Sequence, residues 1–119
     1  MIIGLCGTHV ERAAERIIHL SAVPVREVNA AALDHNQSDE LLVVYVRSSR
    51  DARLVRGAGG IVVDVYTGGP YENMPHDYTV VDLDGDPRFL DRELLRVLSW
   101  CRVPYRSDLF PHSPSRYRS

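Results

Sequence analysis

The chain has 119 residues, 45% of them hydrophobic and 25% charged, with a formal net charge of −2 at pH 7. That is enough for one globular core but not for a core plus a sizeable lid, and the small negative charge gives no reason to expect nucleic acid or a membrane as partner. There is no lysine, so any mechanism that needs one as phosphate clamp, Schiff base or general base is excluded, and a GC-rich coding sequence is the simplest source of the arginine bias.

Met1 to Cys6 (MIIGLC) reads as a short apolar strand that Gly7 ends, with no signal-peptide pattern ahead of it. Val10, Ala13, Ala14, Ile17 and Leu20 then recur at helical spacing. Thr8 and Glu11 make the T-x-x-E pattern of a capping box at the start of that helix. Val23 to Val28 suits a second strand, and Pro24 points to an edge or a strand start. Asn29 is placed to cap a helical turn reaching toward Asn36, and His35 to Asp39 is polar loop. Cys6 and Cys101 sit in apolar surroundings at opposite ends of the chain, which fits reduced core residues of a cytoplasmic protein.

The centre of the chain is DELLVVYVRSSRDARLVRGAGGIVVDVY, residues 39–66. Leu41 to Val46 and Ile61 to Tyr66 are rich in Val, too short for helices and almost uninterrupted by polar residues. Such runs suit strands buried on both faces of a parallel sheet. Between them Ser48 or Ser49 can cap a helix, Asp51 falls in its first turn and Gly57 can close it. This is one βαβ unit, with a right-handed crossover. Thr67 to Pro75 is loop by composition, and Tyr78 to Leu83 is the last strand. Asp86 and Pro87 open a final helix with Leu90, Leu94, Val97, Leu98 and Cys101 on one face, and Pro104 ends it.

These elements predict an α/β fold of three layers around a mainly parallel sheet of about five strands. The expected domain is 1–104, and 105–119 is a tail rich in proline, serine and arginine. No apolar run is long enough to span a bilayer. In a sheet of this kind a ligand binds at the carboxyl ends of the strands, near the first turn from strand to helix.

The stretch VVYVRSSRDARLVRGAGGIVVDV resembles the deoxynucleoside monophosphate kinases of bacteriophages, a branch of the P-loop nucleotide kinases. In that family a strand ends in D-V-R-F-P-N-E and is followed by a helix, a glycine pair and a further strand. Arg47 keeps the family's arginine, Asp51 stands for its glutamate, and Gly59 and Gly60 keep the pair. HDYTVVDLDG is similar to the family's segment before its last helix, and MIIGLCGTH to the strand and first glycine of the phosphate loop. The resemblance implies a P-loop-kinase-like core without a lid. It places the phosphate or nucleotide at Gly7, Thr8, His9, Arg12 and Arg47.

The departures fall on the chemistry. The family's loop is G-x-x-x-x-G-K-[ST], in which the lysine reaches the β- and γ-phosphates and the hydroxyl holds Mg²⁺. Counted from Gly7, those three closing positions are Arg12, Ala13 and Ala14. Tyr45 stands where the family has an acidic residue near the metal, and the segment between the first helix and the central strand is too short for the usual monophosphate-binding insertion. Free N–H groups at a helix start attract phosphate. Thr8 and Glu11 can occupy those groups and put a carboxylate where phosphate would sit, whereas His9 and Arg12 offer the competing anion site.

Other motifs read as structure. DLDGD (Asp82 to Asp86) is similar to the first motif of haloacid-dehalogenase-like phosphatases, but that chemistry needs a lysine. It also echoes a calcium loop, with Pro87 where glycine is required. Arg47 can take a phosphate bidentately or pair with Asp51 across a helix start. His9, His19, His35, His76 and His112 have no metal-ligand spacing. Arg50, Arg53 and Arg56 form a basic stripe, by default a solvated one, and Tyr66, Tyr71 and Tyr78 flank the loop after the fourth strand.

The leading expectation is a shortened, degenerate nucleotide-kinase-like domain of bacteriophage type that does not transfer phosphate. It acts by binding a nucleotide or phosphate, a protein partner or a second copy of itself, with no metal and no cofactor. The two competing expectations are an active ATP-dependent deoxynucleoside monophosphate kinase with an atypical loop, and a purely structural interaction protein.

Overall fold

The computed structural model describes residues 1–7, 10–33, 39–66, 76–82 and 87–106. In chain order the elements are β1 (Ile2–Gly7), α1 (Val10–Leu20), β2 (Val25–Val28), a 3-10 turn (Ala30–Ala32), β3 (Leu41–Tyr45), α2 (Ser49–Gly57), β4 (Ile61–Tyr66), β5 (Tyr78–Val81) and α3 (Pro87–Trp100). The strands form one five-stranded sheet in the order β2-β3-β1-β4-β5. Every pairing is parallel, as the uninterrupted apolar runs predict.

Alternation along the strands divides the core in two. Ile3, Leu5, Leu41, Val43, Val63 and Val65 face α1 and α3 with Ala13, Ala14, Ile17, Leu90, Leu94 and Leu98. Cys6, Val44, Val46 and Val62 face the opposite way, against Ala52 and Val55 of α2 and Ala30 of the 3-10 turn. The sheet is therefore covered by helix on both faces, in three layers. The central strands β1, β3 and β4 are nearly all apolar, while the edge strands β2 and β5 carry the exposed Arg26, Glu27 and Thr79. Among the described residues no helix is long and apolar enough to cross a membrane.

Two details of packing follow from small side chains. A Cβ on Gly4 would stand 2.8 Å from Val46 Cγ2 and 3.2 Å from Val55 Cγ2, so α2 rests on β1 only because that position has no side chain. On the other face α1 is tied down by charge. Arg16 grips Asp91 of α3 through Nε–Oδ1 at 2.8 Å and Nη2–Oδ2 at 2.7 Å, a two-pronged pair with the carboxylate buried. One turn earlier, Arg12 Nε lies 3.7 Å from Asp82 Oδ2 at the end of β5.

Several boundaries differ from those read in the sequence. The second strand starts at Val25, not Val23, with the Pro24 carbonyl accepting from Leu41 N at 2.8 Å. Asn29 precedes the 3-10 turn, but its side chain makes no capping bond and the chain is extended again at Leu33. α2 ends at Gly57, yet the left-handed residue that turns the chain is Gly59, with φ +91°. The last strand stops at Val81. Asp82 adds one more bond, from its N to Tyr66 O at 2.8 Å, while Leu83 and the expected cap Asp86 lie outside the described residues. α3 closes with Arg102 at φ 59° and Val103 N bonded to Leu98 O at 2.8 Å, a Schellman-type end with arginine in the position glycine usually takes. Tyr105, expected as the first tail residue, bridges Ser21, and Arg106 N donates to Leu20 O.

The Arg16–Asp91 pair should matter far more than the exposed Arg26–Glu40 pair. In equilibrium urea unfolding, Asp91→Ala should cost about 2 kcal/mol, since it strands a partly buried guanidinium. Arg26→Ala should change stability by less than about 0.5 kcal/mol. Arg102→Gly should be neutral or stabilising by up to about 1 kcal/mol, because it removes a strained left-handed residue.

Candidate functional site

The chain leaves neighbouring strands β1 and β3 in opposite directions. From β1 it passes to α1 on one face, and from β3 to α2 on the other. Connections that diverge in this way open a crevice at the carboxyl ends of the two strands. A cavity of about 420 Å³ occupies that crevice, lined by Leu5, Gly7, Val10, Glu11, Tyr45, Val46 and Arg47. Its position follows from strand order, and its lining from the last residues of β1 and β3 and the first turn of α1.

Gly7 is required twice over. Its φ of +114° lies in the region open to glycine. An added Cβ would stand 2.3 Å from Val65 O, the backbone of the next strand. Only glycine lets β1 end flush against β4 and turn toward α1. On the other rim, Ser48 caps α2 by accepting from Asp51 N at 3.2 Å, and Asp51 Oδ2 accepts from Arg47 N at 3.0 Å. Asp51 thus holds the backbone of Arg47. The ion pair that the spacing of Arg47 and Asp51 suggests is replaced by this backbone bond, which leaves the guanidinium at the cavity without a bonded partner among the described residues.

Tyr45 forms the wall toward β2. Its hydroxyl donates to Glu27 Oε1 on that strand. Burial first, then the Glu27 hydrogen bond and the charges of Glu27, Glu11 and Glu15, raise the phenol's pKa to about 12. Glu11 thus brings a carboxylate to the cavity from α1, and Arg47 a cation from the β3–α2 turn.

Of the residues singled out in the sequence, Gly7 and Arg47 come together at the cavity. Arg12 does not line it and points to Asp82 instead. Thr8 and His9 lie outside the described residues, as does the capping bond expected of Thr8. Tyr45 and Glu27 form a pair that sequence reading missed. They are 18 residues apart, and only the pairing of β2 with β3 brings them together. The alternation of β3 was the one available signal, since it puts Tyr45 on the same face as Leu41 and Val43.

The remaining motifs take structural places. Asp82 is buried beside Arg12 with Oδ1 lacking a partner among the described residues, and the rest of DLDGD lies outside them. Cys6 is buried and points its Sγ at Asp64 Oδ1, 3.7 Å away. Burial and the Asp64 carboxylate raise this thiol to about 12, which leaves it inert. Both cysteines are free. Arg56 leaves the basic stripe to pair with Asp77, whose carboxylate also accepts from Val62 N at 2.9 Å. Tyr78 packs on Trp100 with centroids 5.8 Å apart. No group of three or more His, Cys, Asp or Glu among the described residues is arranged to hold a metal.

No protein-family model, curated protein or solved structure matches this chain.

The raised pKa of Tyr45 carries a sign. The folded state favours the neutral phenol, so its contribution to stability is whole below pH 10 and is lost as pH rises through about 12. In an ultraviolet titration after rapid pH jumps, one of the six tyrosines should ionise near pH 12. Glu27→Gln should move that ionisation back toward 10, because it removes both the charge and the charged hydrogen-bond acceptor.

Proposed function

We propose that this protein binds a small phosphate-bearing ligand, of the nucleotide class or simpler, at the carboxyl ends of β1 and β3, and that it does not transfer the phosphate. It is read as a shortened, degenerate relative of the nucleotide kinases, consistent with a parallel three-layer sheet whose first turn is opened by Gly7. The observation that carries the reading is the cavity at the divergence of β1 and β3, lined by Gly7 and by Arg47, whose guanidinium has no partner among the described residues. A planar guanidinium with its backbone held in place is suited to a phosphate's paired oxygens.

Against phosphoryl transfer stand the parts that such chemistry needs. Transfer depends on positioning and on neutralising charge with lysine, arginine and metal. The chain has no lysine. Glu11 lines the cavity from the first turn of α1, and Tyr45, which the resemblance aligns with the family's acidic metal contact, is bonded to Glu27. Ala13 and Ala14 are buried in the core, so those two loop positions serve packing.

Calorimetric titration with ATP, deoxynucleoside monophosphates and inorganic phosphate, each with and without Mg²⁺, tests the reading. Binding should be Mg²⁺-independent and fall at least about tenfold in Arg47→Gln, the loss expected for a charge-assisted pair. A coupled assay should show no phosphate transfer. Turnover with Mg²⁺-dependent ATP binding would establish an active kinase instead. No binding and no thermal shift with any of these compounds would favour an interaction protein.

A further inference from the structure

The cavity is electrically divided, and the division restricts what it accepts. Its floor is apolar, made by Leu5, Val10 and Val46. Arg47 supplies a cation on the rim between β3 and α2. Glu11 lines the same cavity from the first turn of α1, and Tyr45, which also lines it, has its hydroxyl committed as donor to Glu27. The charges of Glu27, Glu11 and Glu15 all bear on Tyr45, and Glu11 is the one of them that lines the cavity. Asp51, the acidic residue nearest Arg47 in the chain, accepts from the Arg47 backbone amide, and the guanidinium has no bonded partner among the described residues. Among the described residues, the lining thus holds one cation, Arg47, and one carboxylate, Glu11, in a cavity of about 420 Å³.

A polyphosphate fits this arrangement badly. One of its charged groups would find Arg47, and the others would be brought toward Glu11, a like-charge contact that costs affinity. A ligand with an anion at one end and a cation at the other satisfies both walls, with its stem on the apolar floor. Acceptor-only carboxylates call for a donor-only group, and an ammonium is one.

We propose that the cavity selects a zwitterionic phosphate monoester, whose phosphate meets Arg47 and whose primary ammonium meets the Glu11 wall. The proposal rests on the reading of the cavity as a phosphate site and adds the charge of the ligand's other end. It makes Glu11 the residue that sets specificity, by attracting the ammonium and by rejecting a second phosphate.

Two sugars separate the proposal from the reading beneath it. Glucosamine 6-phosphate and glucose 6-phosphate share one phosphate and one ring, and differ by an ammonium in place of a hydroxyl. Titrated against the full chain at low salt, the amino sugar should bind about three- to tenfold more tightly, a partly solvated ion pair's worth of preference. Glu11→Gln should abolish the preference and strengthen glucose 6-phosphate binding. Arg47→Gln should weaken both sugars alike. Glu11 and Arg47 are exposed, so circular dichroism and thermal melting should show both variants folded. Equal affinities in the unmodified protein, or a preference that survives Glu11→Gln, would overturn the zwitterion and leave the phosphate site standing. Failure of both sugars and of inorganic phosphate to bind would overturn the phosphate site itself.

Discussion

Everything in this fold depends on how closely β1 can be approached. It is the middle strand, paired on one side with β3 and on the other with β4. Helices press on both of its faces. Gly4 lets α2 settle on one face, and Gly7 lets the strand end against the Val65 carbonyl and turn toward α1. A side chain at either place would meet atoms closer than ordinary contact allows. The same closeness puts the ends of β1 and β3 side by side, and their divergence to opposite faces creates the cavity.

Charge then organises what packing leaves open. α1 presents Ala13, Ala14, Ile17 and Leu20 to the core and turns Arg12 and Arg16 toward Asp82 and Asp91. These pairs orient α1 against β5 and α3, where apolar contact alone would permit sliding. Its acidic residues Glu11 and Glu15 fall on the side toward Tyr45, and Glu27 reaches the same place from β2. One helix therefore carries its cations to one neighbour and its anions to the other. Arg12 belongs to the structural side of that division, which leaves Arg47 as the cation of the cavity among the described residues.

The resemblance to phage nucleotide kinases and the structure meet at the level of architecture. Both describe a parallel α/β sheet with a glycine turn after the first strand. The chemistry proposed for the cavity differs from that of the kinases in the resemblance: a bipolar site in place of phosphoryl transfer. Its phenol, bonded to Glu27 of β2, is neutral up to high pH, Glu11 of α1 lines it, and the Arg47 guanidinium projects from a backbone held by Asp51.

Local chemistry was enough to foresee the elements. The apolar runs Leu41 to Val46 and Ile61 to Tyr66, the Ser48 and Asp51 signals and the glycines between them describe a parallel βαβ unit without reference to anything distant. Those patterns act over a few residues, which is why α1, α2 and α3 were legible. Sequence also marked Gly7 and Arg47, because strand ends in such sheets are where ligands bind. Tertiary structure alone decided which residues share the cavity. Tyr45 meets Glu27 through strand register, Arg12 is drawn to Asp82 by a strand that follows it by most of the chain, and Asp51 bonds the Arg47 backbone where spacing allowed an ion pair equally well. Each is a choice between partners of similar chemistry, and such choices are settled by distances that no local pattern contains.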